Sequence, residues 1–308
     1  MEYLKINLEY KSSKDNIVIA LGNFDGMHLG HRKLIDELNS VKLKRNLKTA
    51  VLLFENHSKN VVLKKEFPRI MSFSDKIDTL TELSIDYIFS IEFDDKFRNL
   101  TSKEFLEFLT DNLRVSHIVV GEDYTFGVDR GKVNVISNFT DNNGISLSVV
   151  PSLKYDGYKI SSRNIIKDIE NGNLKPVNFL LGRYYSLKGN VESGFRRGHK
   201  LGYPTANLKL SFNYVIPKDG VYFTKTKYRN KYYFSFTSVG NNPTFNNKNV
   251  SIETHIFDFD KEIYDEEIEI FFIERFRDNE KFDSVEKLKE QLSLDREKCN
   301  ELIKTYSD

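Results

Sequence analysis

The sequence predicts two domains of different class. The first half is an α/β domain, a doubly wound and mostly parallel sheet; the second is an antiparallel β domain closed by a terminal helix. Three observations predict this. In the first half, short apolar runs alternate with segments of helical periodicity. From about Lys188, strand-like stretches become closely spaced and are separated by Gly, Asn, Pro and Asp. Between the halves, residues 165–181 have the pattern of a helix and connector. The expected organisation is a first domain over 1–160, a connecting helix and linker over 161–182, and a second domain over 183–308.

Each element has its own signal. Residues 16–22 form an apolar run ending in Gly22, which suits a strand buried on both faces. Leu34, Ile35, Leu38 and Val41 then fall on one helical face. Residues 50–54 give a second strand. Ser72 with Asp75, and Thr101 with Glu104, have capping-box spacing, and the second opens a helix with the face Phe105, Leu106, Leu109 and Leu113. Further strands are expected at 117–121 and 145–150. In the second half the strand signals lie at 220–223, 232–236, 252–257 and 268–273, as in a barrel or sandwich. Val285, Leu288 and Leu292 mark one face of a final helix.

Composition limits the function. Lys and Arg number 46 against 45 Asp and Glu, a net charge of +1, which argues against a protein that is chiefly a binder of nucleic acid or anionic membrane. The single cysteine, Cys299, excludes an intramolecular disulfide and a multi-cysteine metal site. The charged N-terminus lacks the apolar stretch of a secretory signal. No apolar run reaches the ~18 residues of a membrane span. The expected location is the cytoplasm.

The densest chemical signal is Gly22-Asn23-Phe24-Asp25-Gly26-Met27-His28-Leu29-Gly30-His31, between the first strand and the first helix. In open α/β sheets, ligands bind beyond the carboxyl ends of the strands. The glycines allow a sharp turn and close backbone approach. The helix start directs free amides and the positive end of its dipole at an anion. His28 and His31, at i and i+3, can hydrogen-bond a triphosphate and stabilise a departing pyrophosphate. No third ligand lies near enough to suggest a metal site.

In the second half, Gly194 to Gly202 is glycine-rich and carries Arg196, Arg197, His199 and Lys200, which suits a polyphosphate cradle. Thr205 and Asn207 offer two hard oxygens on one side of an extended segment, a donor pair suited to Mg²⁺. Pro204 fixes φ just before them. Alone, this segment could be a proline turn, Glu253 a solvent-facing strand residue, and Ser161-Ser162 a helix N-cap.

Together these motifs resemble the bacterial bifunctional riboflavin kinase/FMN adenylyltransferase (FAD synthetase) family. Residues 22–31 are similar to the HxGH signature of nucleotidyltransferases, and residues 121–127 (GEDYTFG) to the family element GxDFxFG. Residues 54–58 (FENHS) match FxPHP in part: His57 survives and both prolines are gone. Ser161 and Ser162 stand for the serines of SSTxxR, with Arg163 in place of its threonine and Ile166 in place of its arginine. From Leu181 to Asn207 the chain resembles the kinase signature LGRxYxxxGxVxxGxxxGxxLGxPTAN without a gap.

The resemblance implies a Rossmann-like HxGH domain followed by an antiparallel kinase barrel. It implies phosphorylation of riboflavin to FMN and adenylylation of FMN to FAD, with ATP as co-substrate, Mg²⁺ as cofactor, and ADP and pyrophosphate as products. Its site residues would be His28 and His31 for adenylyl transfer, and Gly22, Asn23, Phe24, Asp25, His57, Ser161 and Ser162 for nucleotide in the first domain. In the second they would be Gly198, His199, Lys200 and Gly202 for nucleotide, Thr205 and Asn207 for metal, and Glu253 as the base. Asp123 would contact flavin; Arg277 would contact phosphate or flavin, or else be a solvated charge. Ile166 leaves open a kinase whose first domain lacks turnover, and a non-catalytic flavin-binding module is a third reading.

Overall fold

The computed structural model describes residues 1–12, 16–56, 65–193, 202–241 and 250–306. It divides into two compact units, Met1–Ser162 and Arg163–Asp308.

The first unit is built on a six-stranded sheet of order β1-β4-β3-β2-β5-β6, with every neighbouring pair parallel. Its strands are β1 (Glu2–Ile6), β2 (Ile17–Leu21), β3 (Lys48–Phe54), β4 (Tyr87–Ile91), β5 (Val115–Gly121) and β6 (Ser146–Val150). Central β2 is buried along its whole length. Ile17, Ile19 and Leu21 join one core cluster, while Val18 and Ala20 join another. This alternation explains why an unbroken apolar run was needed: successive side chains enter cores on opposite faces.

Helix α1 (Leu29–Arg45) buries the expected Leu34, Ile35, Leu38 and Val41, and ends at Asn46 in a left-handed conformation. Both capping boxes form, at the starts of α2 (Phe73–Glu82) and α4 (Ser102–Glu107), which flank the short α3 (Asp95–Arg98). Helix α4 runs into a π turn over Phe108–Asn112, and Phe105, Leu106, Leu109 and Leu113 are all buried. Helix α5 (Val133–Asn143) and the hairpin β7 (Lys154–Tyr155) and β8 (Tyr158–Lys159) complete the unit.

The second unit begins with α6 (Ser162–Glu170), whose first residue closes the first unit, and α7 (Leu174–Leu181). Gly172, at φ +79°, makes the turn between these helices. A closed barrel follows in the order β10-β13-β12-β11-β14-β9, so of barrel and sandwich it is the barrel. Its strands are β9 (Tyr185–Glu192), β10 (Ala206–Leu210), β11 (Gly220–Tyr228), β12 (Lys231–Asn241), β13 (Val250–Ile256) and β14 (Glu267–Arg277), all paired antiparallel. Part of its interior is polar. Thr224, Thr226, Ser235, Thr237 and Thr254 are fully buried and hydrogen-bonded to one another at 2.7–2.9 Å. A hydroxyl can both donate and accept, so these bonds replace lost water within the barrel.

The terminal helix α8 (Val285–Tyr306) packs through a continuation of the expected face. Val285, in the first turn, is 59% exposed, but Leu292 of the expected face packs on the barrel, followed by Cys299, Leu302, Ile303 and Tyr306. Asp295 lies on the packed face because it receives Arg277 of β14. Among the described residues, no helix is long and apolar enough to cross a membrane.

Candidate active sites

The first site lies at the carboxyl end of β2. The chain turns through Phe24, Gly26 and Met27, all at positive φ, before entering α1. His28 is the N-cap of that helix, and its Nδ1 accepts the His31 backbone N–H at 3.3 Å. The two imidazoles stack with centroids 3.7 Å apart, and His31 also meets the Phe24 ring at 5.2 Å. A Cβ at Gly30 would stand 3.1 Å from the His28 ring, so glycine here lets the imidazole lie against the helix. Burial, the neighbouring His28 and the positive charge of Lys76 hold His31 well below the usual imidazole range. It is therefore neutral at neutral pH, with one N–H to donate. Its Nδ1 is buried with no hydrogen-bond partner among the described residues.

The rest of the loop is fixed from below. Asp25 is buried, and its carboxylate accepts the Ile70 N–H at 3.2 Å. Burial raises its pKa, against the pull of Lys76 and Arg69. Ser162 Oγ donates to the Asp25 carbonyl at 2.9 Å, which brings one of the two motif serines onto the loop. Phe24 is wholly buried in the core, so its ring supports His31 and only its backbone is available to a ligand. His57 lies outside the described residues.

Beside Gly22 and Asn23 opens a cleft of ≈ 400 Å³ walled by Phe54, Phe93, Phe97, Phe105, Tyr124 and Phe126, with Arg98 and Asp123 as charged members. Tyr124 stacks on Phe126 with centroids 5.5 Å apart. The Asp123 carboxylate is already engaged by Lys159 of the β7–β8 hairpin and by Ser152 Oγ.

The second site is set by barrel register. Asn207 of β10 is directly opposite Glu253 of β13, and Ala206 is opposite Thr254. Directly opposed residues point to the same face of the sheet, with Cβ atoms roughly 5 Å apart. Glu253 also accepts Ser251 Oγ at 3.0 Å. Thr205 lies one residue before β10 and lines a ≈ 320 Å³ cleft with Pro204, Ala206, Thr254 and residues 259–264. His255 Nδ1 donates to the Pro204 carbonyl at 2.8 Å, which ties this segment to β13. Gly202 precedes it at φ +83°. Gly198, His199 and Lys200 lie outside the described residues.

Arg277 is engaged within the protein. Its Nε and Nη2 donate to the two oxygens of Asp295 at 2.7 and 2.5 Å, and Nη1 donates to the Asp278 carbonyl at 2.9 Å. These bonds tie β14 to α8.

Sequence reasoning missed Lys76, Arg69 and His255 as supports of the two sites. None belongs to a local spacing pattern; each meets its loop only through the fold.

Residues 10–164 match the FAD synthetase family, and residues 181–303 match the riboflavin kinase family. The chain is 36% identical to a bifunctional riboflavin kinase/FMN adenylyltransferase of Buchnera aphidicola subsp. Acyrthosiphon pisum, over 92% of this chain and 93% of the relative. It is 36% identical to the enzyme of the same description from Listeria monocytogenes, over 92% and 91%. It is also similar, at 32% identity and TM-score 0.87, to a crystal structure described as a macrolide-efflux protein from Streptococcus pneumoniae, covering 96% of this chain and 97% of that one.

Proposed function

This chain belongs to the bifunctional riboflavin kinase/FMN adenylyltransferase family, and from that premise we propose that its two sites act in sequence to make FAD from riboflavin with two molecules of ATP. The observation that carries the residue assignment is the register pairing of Asn207 with Glu253 beside Thr205.

In the second unit, Glu253 accepts the proton of the ribityl 5′-hydroxyl as that oxygen attacks the γ-phosphorus of ATP. The bond from this phosphorus to the bridging oxygen breaks, and ADP and FMN result. The cleft beside Thr205 takes the nucleotide. Thr205 and Asn207 offer the hard oxygens that would hold Mg²⁺, which when bound would neutralise charge on the phosphates.

In the first unit, an FMN phosphate oxygen attacks the α-phosphorus of ATP. The bond to the β-phosphate oxygen breaks, and pyrophosphate leaves. His28, neutral His31 and the amides at the start of α1 donate to the charge that gathers on the leaving group. The aromatic cleft takes the isoalloxazine ring, whose flat apolar face matches the phenyl walls. Asp123, held by Lys159 and Ser152, shapes that cleft. Both substrates are small and water-soluble, consistent with work in the cytoplasm and with neither a nucleic-acid nor a membrane partner.

The test is incubation with riboflavin and Mg-ATP followed by chromatography. FAD is the expected product. FMN alone would instead favour a kinase whose first unit lacks turnover, the reading that Ile166 at the expected arginine position supports. Neither product would refute the proposal.

A further inference from the structure

Lys76 is a buried cation that the two-site mechanism does not use. It lies in the first turn of α2, which its own sequence marks only as a capped surface helix, yet Lys76 is 4% exposed. A lysine side chain is withdrawn from water this far only when something inside fixes it. Its Nζ donates to the Asn23 carbonyl at 2.8 Å, near the start of the loop between β2 and α1. Its electrostatic neighbours come from three other segments: Asp25 from the loop itself, Arg69 from the chain before α2, and His31 from α1. Two cations and one carboxylate leave this buried cluster with an excess positive charge directly behind the loop that precedes the helix N-terminus.

We propose that Lys76 is a positioning residue for adenylyl transfer, which anchors the Asn23 peptide and supplies a fixed positive charge behind the loop that receives the ATP triphosphate. Two physical consequences follow from the contact. Because the peptide is trans, drawing the Asn23 carbonyl toward Lys76 turns the Phe24 N–H the opposite way, so one hydrogen bond sets the orientation of the loop amide. The ammonium also adds attraction for an anion without touching it, in surroundings where a charge is weakly screened. Burial, offset in part by Asp25 and reinforced by Arg69, lowers its pKa to about 8. The charge is thus present at neutral pH and lost as pH rises through that value.

The inference rests on the first unit being the adenylyl-transfer site. FAD formation from FMN and Mg-ATP is measured for the wild-type chain, Lys76→Met and Lys76→Arg between pH 7 and 9, with riboflavin phosphorylation and circular dichroism alongside. At pH 7, Lys76→Met should raise the KM for ATP by roughly tenfold, the effect of a unit charge acting without contact over about 10 Å at an effective dielectric constant of about 20. The KM for FMN and the kinase rate should stay within about twofold, and Lys76→Arg should recover part of the ATP affinity. In the wild type, the KM for ATP should climb above about pH 8, and Lys76→Met should lack that climb. A normal KM for ATP in folded Lys76→Met overturns the proposal. So does a wild-type KM that is flat across this range, and this second measurement decides the matter even if neither variant folds. A wild-type chain that forms no FAD would sink the reading of the site itself, whereas FAD formation with unchanged ATP dependence in the variant would sink only the role of Lys76.

Discussion

Three histidines in this protein are held neutral by burial, and that has a measurable consequence for stability. His31 is held well below its ordinary pKa, and His117 and His255 are also lowered, with loss of hydration the leading cause in each. His117 sits against Ser148 Oγ at 2.9 Å, and His255 against the Pro204 carbonyl. When the chain unfolds, these rings regain an ordinary pKa near ~6.5 and take up protons below it, while the folded rings do not. The unfolded state then binds more protons, so stability falls as pH drops from about 6.5 and is fully retained above it. The melting temperature should be lower at pH 5.5 than at pH 7.5, and His117→Gln should reduce the difference. A melting temperature that holds steady or rises on acidification would contradict this account.

At the scale of elements, α8 is held on the barrel by an apolar face and by one ion pair whose carboxylate is buried. Asp295 is almost wholly buried and meets Arg277 through both oxygens, with Gln291 donating to Oδ1 at 2.9 Å. Removing one partner of such a pair leaves a charge without compensation, which costs roughly 3–5 kcal/mol. Asp295→Ala should therefore lower the urea midpoint strongly with little change in slope. Val285→Ser, on the exposed flank of the same helix, should stay within about 0.5 kcal/mol of the wild type. This helix also shows where the sequence is hard to read. The spacing of Val285, Leu288 and Leu292 continues through Asp295, Cys299 and Leu302, so the face is legible, but a buried carboxylate on it is not, because its partner Arg277 lies on β14. Strand β1 is hidden for a related reason: it lies at the sheet edge beside β4, so Tyr3 and Lys5 can face outward and the segment carries no apolar run. By contrast β2, α1 and both capping boxes were legible, because each is specified by residues within a few positions of one another. The same division holds at the sites. The His28–His31 pair, the Thr205–Asn207 pair and their neighbours carry local spacing, while Lys76, Arg69 and His255 act from other elements and leave no local trace.

The whole molecule joins two chemistries whose order is fixed by their substrates: FMN leaves the barrel site as product and enters the Rossmann-like site as reactant. Each unit has its own core and its own polar machinery. If each site is complete within its unit, the two activities must be separable by single substitutions. Glu253→Ala would remove the proposed proton acceptor of the first reaction, with an expected loss of about 10²–10⁴-fold for a general base, and should leave FAD formation from added FMN intact. His28→Ala removes the cap of α1 and would remove the proposed donor to the departing pyrophosphate, with an expected loss of about 10²–10³-fold, and should leave FMN formation from riboflavin intact. Neither variant alone should then carry riboflavin to FAD at an appreciable rate. An equimolar mixture should do so, because FMN released by the His28→Ala chain is free to reach the intact adenylyl-transfer site of the Glu253→Ala chain. The mixture should show a lag while FMN accumulates, and added FMN should abolish that lag. A mixture that stays inactive, although each variant retains its remaining half-reaction, would mean that FMN does not pass through solution and that the two sites must belong to one chain.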